Sequence, residues 1–265
     1  MKIRRIFRKM TRMTREQLLS FVKSSSHSLL DLLYPRRCPV CLSALPPGKT
    51  LICPPCVKRI RYVVPPVCYK CGKPLSDETR ELCRNCKKRL PSFEEGISWA
   101  EYTSDYTRRI MNEVKYHGDP QLLDFPCEDL LRRQGRYIRK WGAEALIPVP
   151  LHRKRLLERG YNQAEEIAAR LSPGLGIPVD ASLLLRKAET KAQKALTSEG
   201  RAMNLMGAFQ ASRPSPYRRV ILIDDIYTTG ATAEACTRTL LRAGAEEVFF
   251  LSLAIGHDDS RESPF

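Results

Sequence analysis

The chain has 265 residues, 43% of them hydrophobic and 28% charged, with a formal net charge of +16. That composition supports a buried core and excludes wholesale disorder, and no run approaches the roughly 18 apolar residues of a membrane-spanning helix. The basic N-terminus is not followed by a continuous apolar stretch, so a secretory signal is not expected and the cytoplasm is the expected location.

The excess charge is confined to the first third. Residues 1–91 carry 21 Lys/Arg against 5 Asp/Glu, whereas residues 92–265 carry 24 of each. A strongly basic segment beside a balanced one points to a polyanionic partner, nucleic acid first and an anionic membrane surface second. A solvated basic face that aids solubility is the plain alternative. Residues 1–33 read as a basic extension with a helix. Residues 2–15 hold seven cations and no acid, and Leu18, Phe21, Val22, Leu29, Leu30, Leu32 and Leu33 follow with loose helical spacing until Pro35. The extension could bind nucleic acid, touch a membrane surface peripherally, or dock on the remainder of the protein.

Residues 34–91 contain eight of the ten cysteines, as Cys38-x-x-Cys41, Cys53-x-x-Cys56, Cys68-x-x-Cys71 and Cys83-x-x-Cys86. The second half repeats the first with every ligand displaced by 30 residues, an internal duplication of one short unit. Two Cys-x-x-Cys turns complete a tetrahedral thiolate site, so the array predicts two structural Zn2+ ions in a double zinc ribbon. Disulfides fit poorly without a secretion signal, and a redox motif would occur singly. Each unit could close on itself or the pairs could interleave; the equal repeat favours two consecutive sites. Cys127 and Cys236 read as core residues.

A ribbon is too small to bury much, so its cations are expected in solvent. Lys58, Arg59, Arg61, Lys70, Lys73, Arg84, Lys87, Lys88 and Arg89 are therefore the candidate single-stranded DNA contacts. Tyr62 and Tyr69 could stack on bases or pack beside the metal.

From residue 92 to 257 apolar β-rich runs alternate with helical patterns. Residues 97–102, 145–150, 218–225 and 246–254 read as strands, and 103–117, 121–140, 162–171 and 230–243 as helices. The alternation predicts an α/β domain with a mostly parallel sheet, followed by a tail over 258–265. Within it, Val220-Ile221-Leu222-Ile223-Asp224-Asp225-Ile226-Tyr227-Thr228-Thr229-Gly230-Ala231-Thr232 runs from a strand through two acids and a Thr/Gly turn into a helix. Amide groups of such a turn suit a phosphate dianion, and the acids suit neighbouring hydroxyls. A ribose 5-phosphate offers both.

This signature resembles the phosphoribosyl-pyrophosphate (PRPP) motif of type I phosphoribosyltransferases. The resemblance assigns Asp224 and Asp225 to the ribose hydroxyls, and Thr228, Thr229, Gly230, Ala231 and Thr232 to the 5-phosphate. It also implies a pyrophosphate loop after residues 146–150, where Arg153, Lys154 and Arg155 follow. The segments 148–168, 184–209 and 114–119 narrow the likeness to the ComF family, which joins a zinc ribbon to a phosphoribosyltransferase-like domain. The likeness spans residues 29–256. Arg186, Thr190, Gln193, Leu196, Arg201 and Asn204 match that family's mobile loop, and Lys115 and His117 are further phosphate candidates.

The family implies a part in DNA uptake and natural transformation, with PRPP and Mg2+ in the C-terminal domain. A DNA-uptake helicase or recombination mediator is suggested as partner by family role alone. In phosphoribosyl transfer, cations and substrate-chelated Mg2+ stabilise the departing pyrophosphate, and no protein nucleophile is needed. No acceptor pocket is legible, so PRPP could be a substrate or a regulatory ligand. A metabolic phosphoribosyltransferase with a structural ribbon, and a scaffold binding partner proteins, are the competing readings.

Overall fold

A computed structural model describes residues 36–46, 50–102, 105–116, 119–187 and 207–257. The helix expected within 16–33 and the tail at 258–265 lie outside the described residues. The chain divides into two compact units, Met1–Val57 and Lys58–Phe265. The boundary falls between the two cysteine sets, so the second set shares a unit with the α/β fold.

In the first unit the Cys38 amide donates to the Ser43 carbonyl and the Leu42 amide to the Cys38 carbonyl, each at 2.8 Å. This tight turn brings Cys38 and Cys41 together. Leu42 has φ of 63°, in the left-handed region that costs an L-residue about 1–2 kcal/mol. Cys56 comes from the single-turn helix α1 (Pro54–Val57).

The second unit opens with the same turn 30 residues on. The Cys68 amide donates to the Lys73 carbonyl and the Gly72 amide to the Cys68 carbonyl, again at 2.8 Å. Gly72 takes the left-handed conformation with φ of 71°. Here glycine is required for space as well: a Cβ would lie 2.4 Å from the Gly96 carbonyl oxygen. Helix α2 (Arg84–Lys88) starts at Cys83, whose Sγ accepts from the Cys86 amide and caps the helix.

Four parallel strands form the main sheet in the order β1-β6-β5-β2, with β1 (Gly96–Glu101), β2 (Ala145–Pro148), β5 (Arg219–Tyr227) and β6 (Glu247–Ile255). The parallel sheet and alternating helices expected from the sequence are both present. Residues 220–223 and 248–255 are buried without interruption, as central parallel strands covered on both faces must be. Helix α3 (Asp105–Tyr116) follows β1, and α4 (Asp124–Arg139) follows a 3-10 turn at Pro120–Leu123. After β2 come the short helix α5 (Arg153–Arg159) and α6 (Gln163–Leu175), which packs on α4, β2 and β5. A two-stranded hairpin, β3 (Leu184–Arg186) with β4 (Phe209–Ala211), lies against α7 (Ala231–Arg242).

The segment that leads into the second cysteine set is part of the fold. Its Val63 amide donates to the Trp99 carbonyl and Arg61 accepts from the Glu101 amide, which extends the sheet at the β1 edge. Tyr62 meets Trp99 edge-on and lies under the Arg133 guanidinium, 3.7 Å from the ring centre. Trp99 in turn donates to the buried Asp129 carboxylate at 2.9 Å, which also binds Arg132 and Arg133. Tyr62 is thus a packed residue, and of the two tyrosines only Tyr69 is exposed. Cys127 and Cys236 are buried, as core residues should be.

Candidate functional site

Strand β5 delivers Asp224 and Asp225 to the carboxyl end of the sheet and continues two residues beyond them to Tyr227. Both acids remain in extended backbone because β5 is still paired there, Asp224 with Ser252 and Ile226 with Ala254 of β6. Burial and the adjoining Asp225 carboxylate push the Asp224 carboxyl up to about 8. Asp225 pairs with Lys115 of α3, Nζ to Oδ2 at 2.9 Å.

Thr228, Thr229 and Gly230 turn the chain into α7, leaving the first amides of that helix without intrahelical partners. Gly230 sits at φ of 82°, and a Cβ there would lie 2.3 Å from the Tyr227 hydroxyl. Two demands, one conformational and one steric, therefore require glycine at this position. Tyr227 itself is buried against Phe93 and Phe250.

A cavity of about 300 Å3 opens beside the acids. Asp224, Asp225, Thr228 and Thr232 form one wall, and Lys115, Arg155, Arg159 and Arg186 supply four cations. Two carboxylates that can accept hydroxyl hydrogen bonds thus lie next to a cluster able to hold anionic oxygens.

The region after β2 differs from the expected loop. Only the four residues 149–152 separate β2 from α5, because RKRLLER is a run of strong helix formers and the His152 Nδ1 caps it by accepting from the Lys154 amide. The helix separates the three consecutive cations. Arg155 reaches the cavity, Arg153 and Lys154 do not line it, and Arg159 does so one turn beyond Arg155.

Arg159 was not singled out in the sequence, nor were Asn162 and Gln163, which also line the cavity. Asn162 caps α6 through the Ala164 amide and donates to the Val149 carbonyl at 3.0 Å, locking the cavity floor. Gln163 accepts from Arg159 at 3.1 Å, while its buried Nε2 has no hydrogen-bond partner among the described residues. The available signal was the RGYNQ string at 159–163, whose i,i+4 relation to Arg155 shows only once α5 is known. Arg186 lies on the β3–β4 hairpin. His117, Thr190, Gln193, Leu196, Arg201 and Asn204 lie outside the described residues.

The cysteines form the two consecutive sets favoured by the repeat, Cys38/Cys41/Cys53/Cys56 and Cys68/Cys71/Cys83/Cys86, with all four ligand atoms of a set within 4.8 Å of one another. Ligands 2.3 Å from a tetrahedral ion are about 3.8 Å apart, and the Cys41–Cys53 and Cys71–Cys83 sulfurs are both at 3.6 Å. The donor sets fit Zn2+.

Of the cations expected in solvent, Lys58, Arg59, Arg61, Arg84, Lys87, Lys88 and Arg89 are exposed. Lys70 is half-buried and 3.9 Å from Glu94. Lys73 departs from expectation: it is 3% exposed, because the second ribbon is packed into the α/β unit and is not a solvated appendage. Lys73 is therefore not part of the exposed cation group.

A double zinc ribbon domain matches residues 29–91. The chain is 32% identical to Competence protein F of Haemophilus influenzae over 227 residues, covering 82% of this chain and 96% of that protein. It is 27% identical to DNA utilization protein YhgH of Escherichia coli K12, with the same coverage, and 27% identical to Competence protein ComFC of Bacillus subtilis, covering 73% and 79%. Among solved structures it is similar to a purine phosphoribosyltransferase of Pyrococcus horikoshii, with 20% identity and a TM-score of 0.33, covering 49% of this chain and 72% of that one. An orotate phosphoribosyltransferase of Aeropyrum pernix gives 21% and 0.34, covering 56% and 64%. On this 32% identity to Competence protein F across 96% of that protein, the chain belongs to the ComF family.

Proposed function

We propose that this protein assists the handling of incoming DNA, holding single-stranded DNA on its basic ribbon surface and PRPP in the cavity beside Asp224 and Asp225. The observation that carries the PRPP reading is the juxtaposition of two carboxylates, a threonine-glycine turn and four cations around one cavity of about 300 Å3. Hydroxyls of a ribose match the acids, a 5-phosphate matches the turn, and a pyrophosphate matches Arg155, Arg159 and Lys115. Mg2+ would be carried by the pyrophosphate oxygens and would spread the charge of the departing group. The residues' own part is to hold the ribose at its hydroxyls and the leaving oxygens at their cations, which serves either a transfer reaction or simple ligand sensing.

The family relatives are named for competence and DNA utilization, which supports the DNA side. So does the exposed cation group Arg84, Lys87, Lys88 and Arg89 around α2. Phosphate contacts of this kind neutralise backbone charge without reading sequence.

Calorimetric titration of PRPP with Mg2+ tests the cavity. The Asp224→Ala/Asp225→Ala variant is expected to bind at least about tenfold more weakly, since hydrogen bonds to charged groups contribute roughly 1.5–3 kcal/mol each. Equal affinities would remove these acids from the site.

A further inference from the structure

Among the described ribbon cations Lys73 alone is buried, and its ammonium faces the Thr228–Thr232 turn. Its Nζ donates to the Thr228 carbonyl at 3.4 Å, across 155 residues of sequence. Three more contacts fix the same junction. Gly72 lies against Gly96 so closely that no Cβ fits between them. Phe93, two residues past the ribbon, packs on Tyr227 with ring centres 6.3 Å apart. Ser92 donates through its amide and hydroxyl to the Glu234 carboxylate in the first turn of α7, at 2.7 and 2.9 Å.

A buried ammonium that donates to a neutral carbonyl is costly unless opposite charge lies nearby. Four thiolates around a dication supply excess negative charge on the ribbon side. A phosphate dianion on the turn would supply it on the other. In a trans peptide the carbonyl and the following amide point in opposite directions, so holding the Thr228 carbonyl toward Lys73 turns the Thr229 amide away from the ribbon. We infer that Lys73 of the second zinc ribbon is a positioning residue for a phosphate monoester on the Thr228–Thr232 turn, the ribbon bracing that turn through the Thr228 carbonyl. The inference rests on the cavity reading above and adds a residue from outside the phosphoribosyltransferase-like signature.

The test uses the zinc-loaded full chain, with metal content checked for each protein. Affinity for ribose 5-phosphate and for inorganic pyrophosphate is measured for wild type, Lys73→Met and Lys73→Gln. Loss of one charge-assisted interaction corresponds to about tenfold or more in affinity. Ribose 5-phosphate should weaken by that factor in both variants, while pyrophosphate, held by Arg155 and Arg159, changes by less than about twofold. If methionine cannot be accommodated and zinc is lost, the glutamine variant, which keeps a neutral donor, decides alone. Unchanged ribose 5-phosphate affinity in a zinc-loaded variant, or equal losses for the two ligands, would overturn the inference. Failure of wild type to bind ribose 5-phosphate would instead refute the cavity reading itself.

Discussion

The two zinc ribbons are copies of one 30-residue unit, yet the fold treats them differently. Both make the same turn with the same pair of 2.8 Å hydrogen bonds. At the left-handed position of that turn the first copy has Leu42, 62% exposed, and the second has Gly72, pressed against Gly96. Cys41 is exposed, whereas its counterpart Cys71 is buried with the other three ligands of its set. The first knuckle keeps its strained leucine in solvent. A knuckle that needs glycine, buries its ligands and sends a lysine to the phosphate turn has become part of another domain's core. Spacing identifies a metal site but not what the site is attached to.

Removing one ligand from each ribbon separates them most strongly. Cys71→Ser should lose one zinc and lower the melting temperature of the α/β unit by about 10 °C or more, since several kcal/mol are lost at roughly 2–4 °C per kcal/mol. Cys41→Ser should also lose one zinc but leave that transition within about 2 °C. Metal analysis with scanning calorimetry reads both, and equal melting shifts would erase the distinction.

The left-handed position gives a pair of opposite signs. Gly72→Ala should destabilise by about 2–4 kcal/mol, because the Cβ meets backbone that cannot move aside. Leu42→Gly should relieve up to about 1 kcal/mol of backbone strain and slow zinc loss from the first ribbon to a chelator.

The acids at the site add a pH signature confined to the second unit. Asp224 has a native pKa of about 8, above its ordinary value of 3.8, so the native state retains a proton that the unfolded chain gives up. Its contribution to stability is greatest below about pH 4 and is lost as pH rises to about 8. Asp224→Asn should remove that decline, and urea midpoints at pH 5 and pH 8 measure it.

The smallest effect concerns DNA. Salt dependence for a single strand has a slope of about −0.7 per phosphate neutralised. Replacing Lys87, Lys88 and Arg89 with glutamine should flatten the slope by about 2 while both zinc ions remain. An unchanged slope would move the DNA surface away from α2.

Much of this is legible in the amino-acid sequence. The four parallel strands and the acids of β5 follow from apolar runs ending in polar turns, and the zinc sets follow from spacing. Less legible was anything decided by tertiary contact. Arg155 and Arg159 share the cavity only because residues 153–159 form a helix, whereas a string of adjacent cations reads as a loop. Lys73 has the composition of a surface residue and is buried by a neighbour 155 positions away. Asn162 works through a helix cap and the Val149 carbonyl, neither of which leaves a mark in charge or periodicity.

Hydrogen exchange on the zinc-loaded full chain, with and without PRPP and Mg2+, tests most directly whether one ribbon belongs to the ligand site and the other does not. Ligand should slow exchange at residues 228–232 and also at residues 68–75, with residues 38–56 unchanged. Protection at 228–232 that stops short of residues 68–75, or equal protection of both ribbons, would contradict the account.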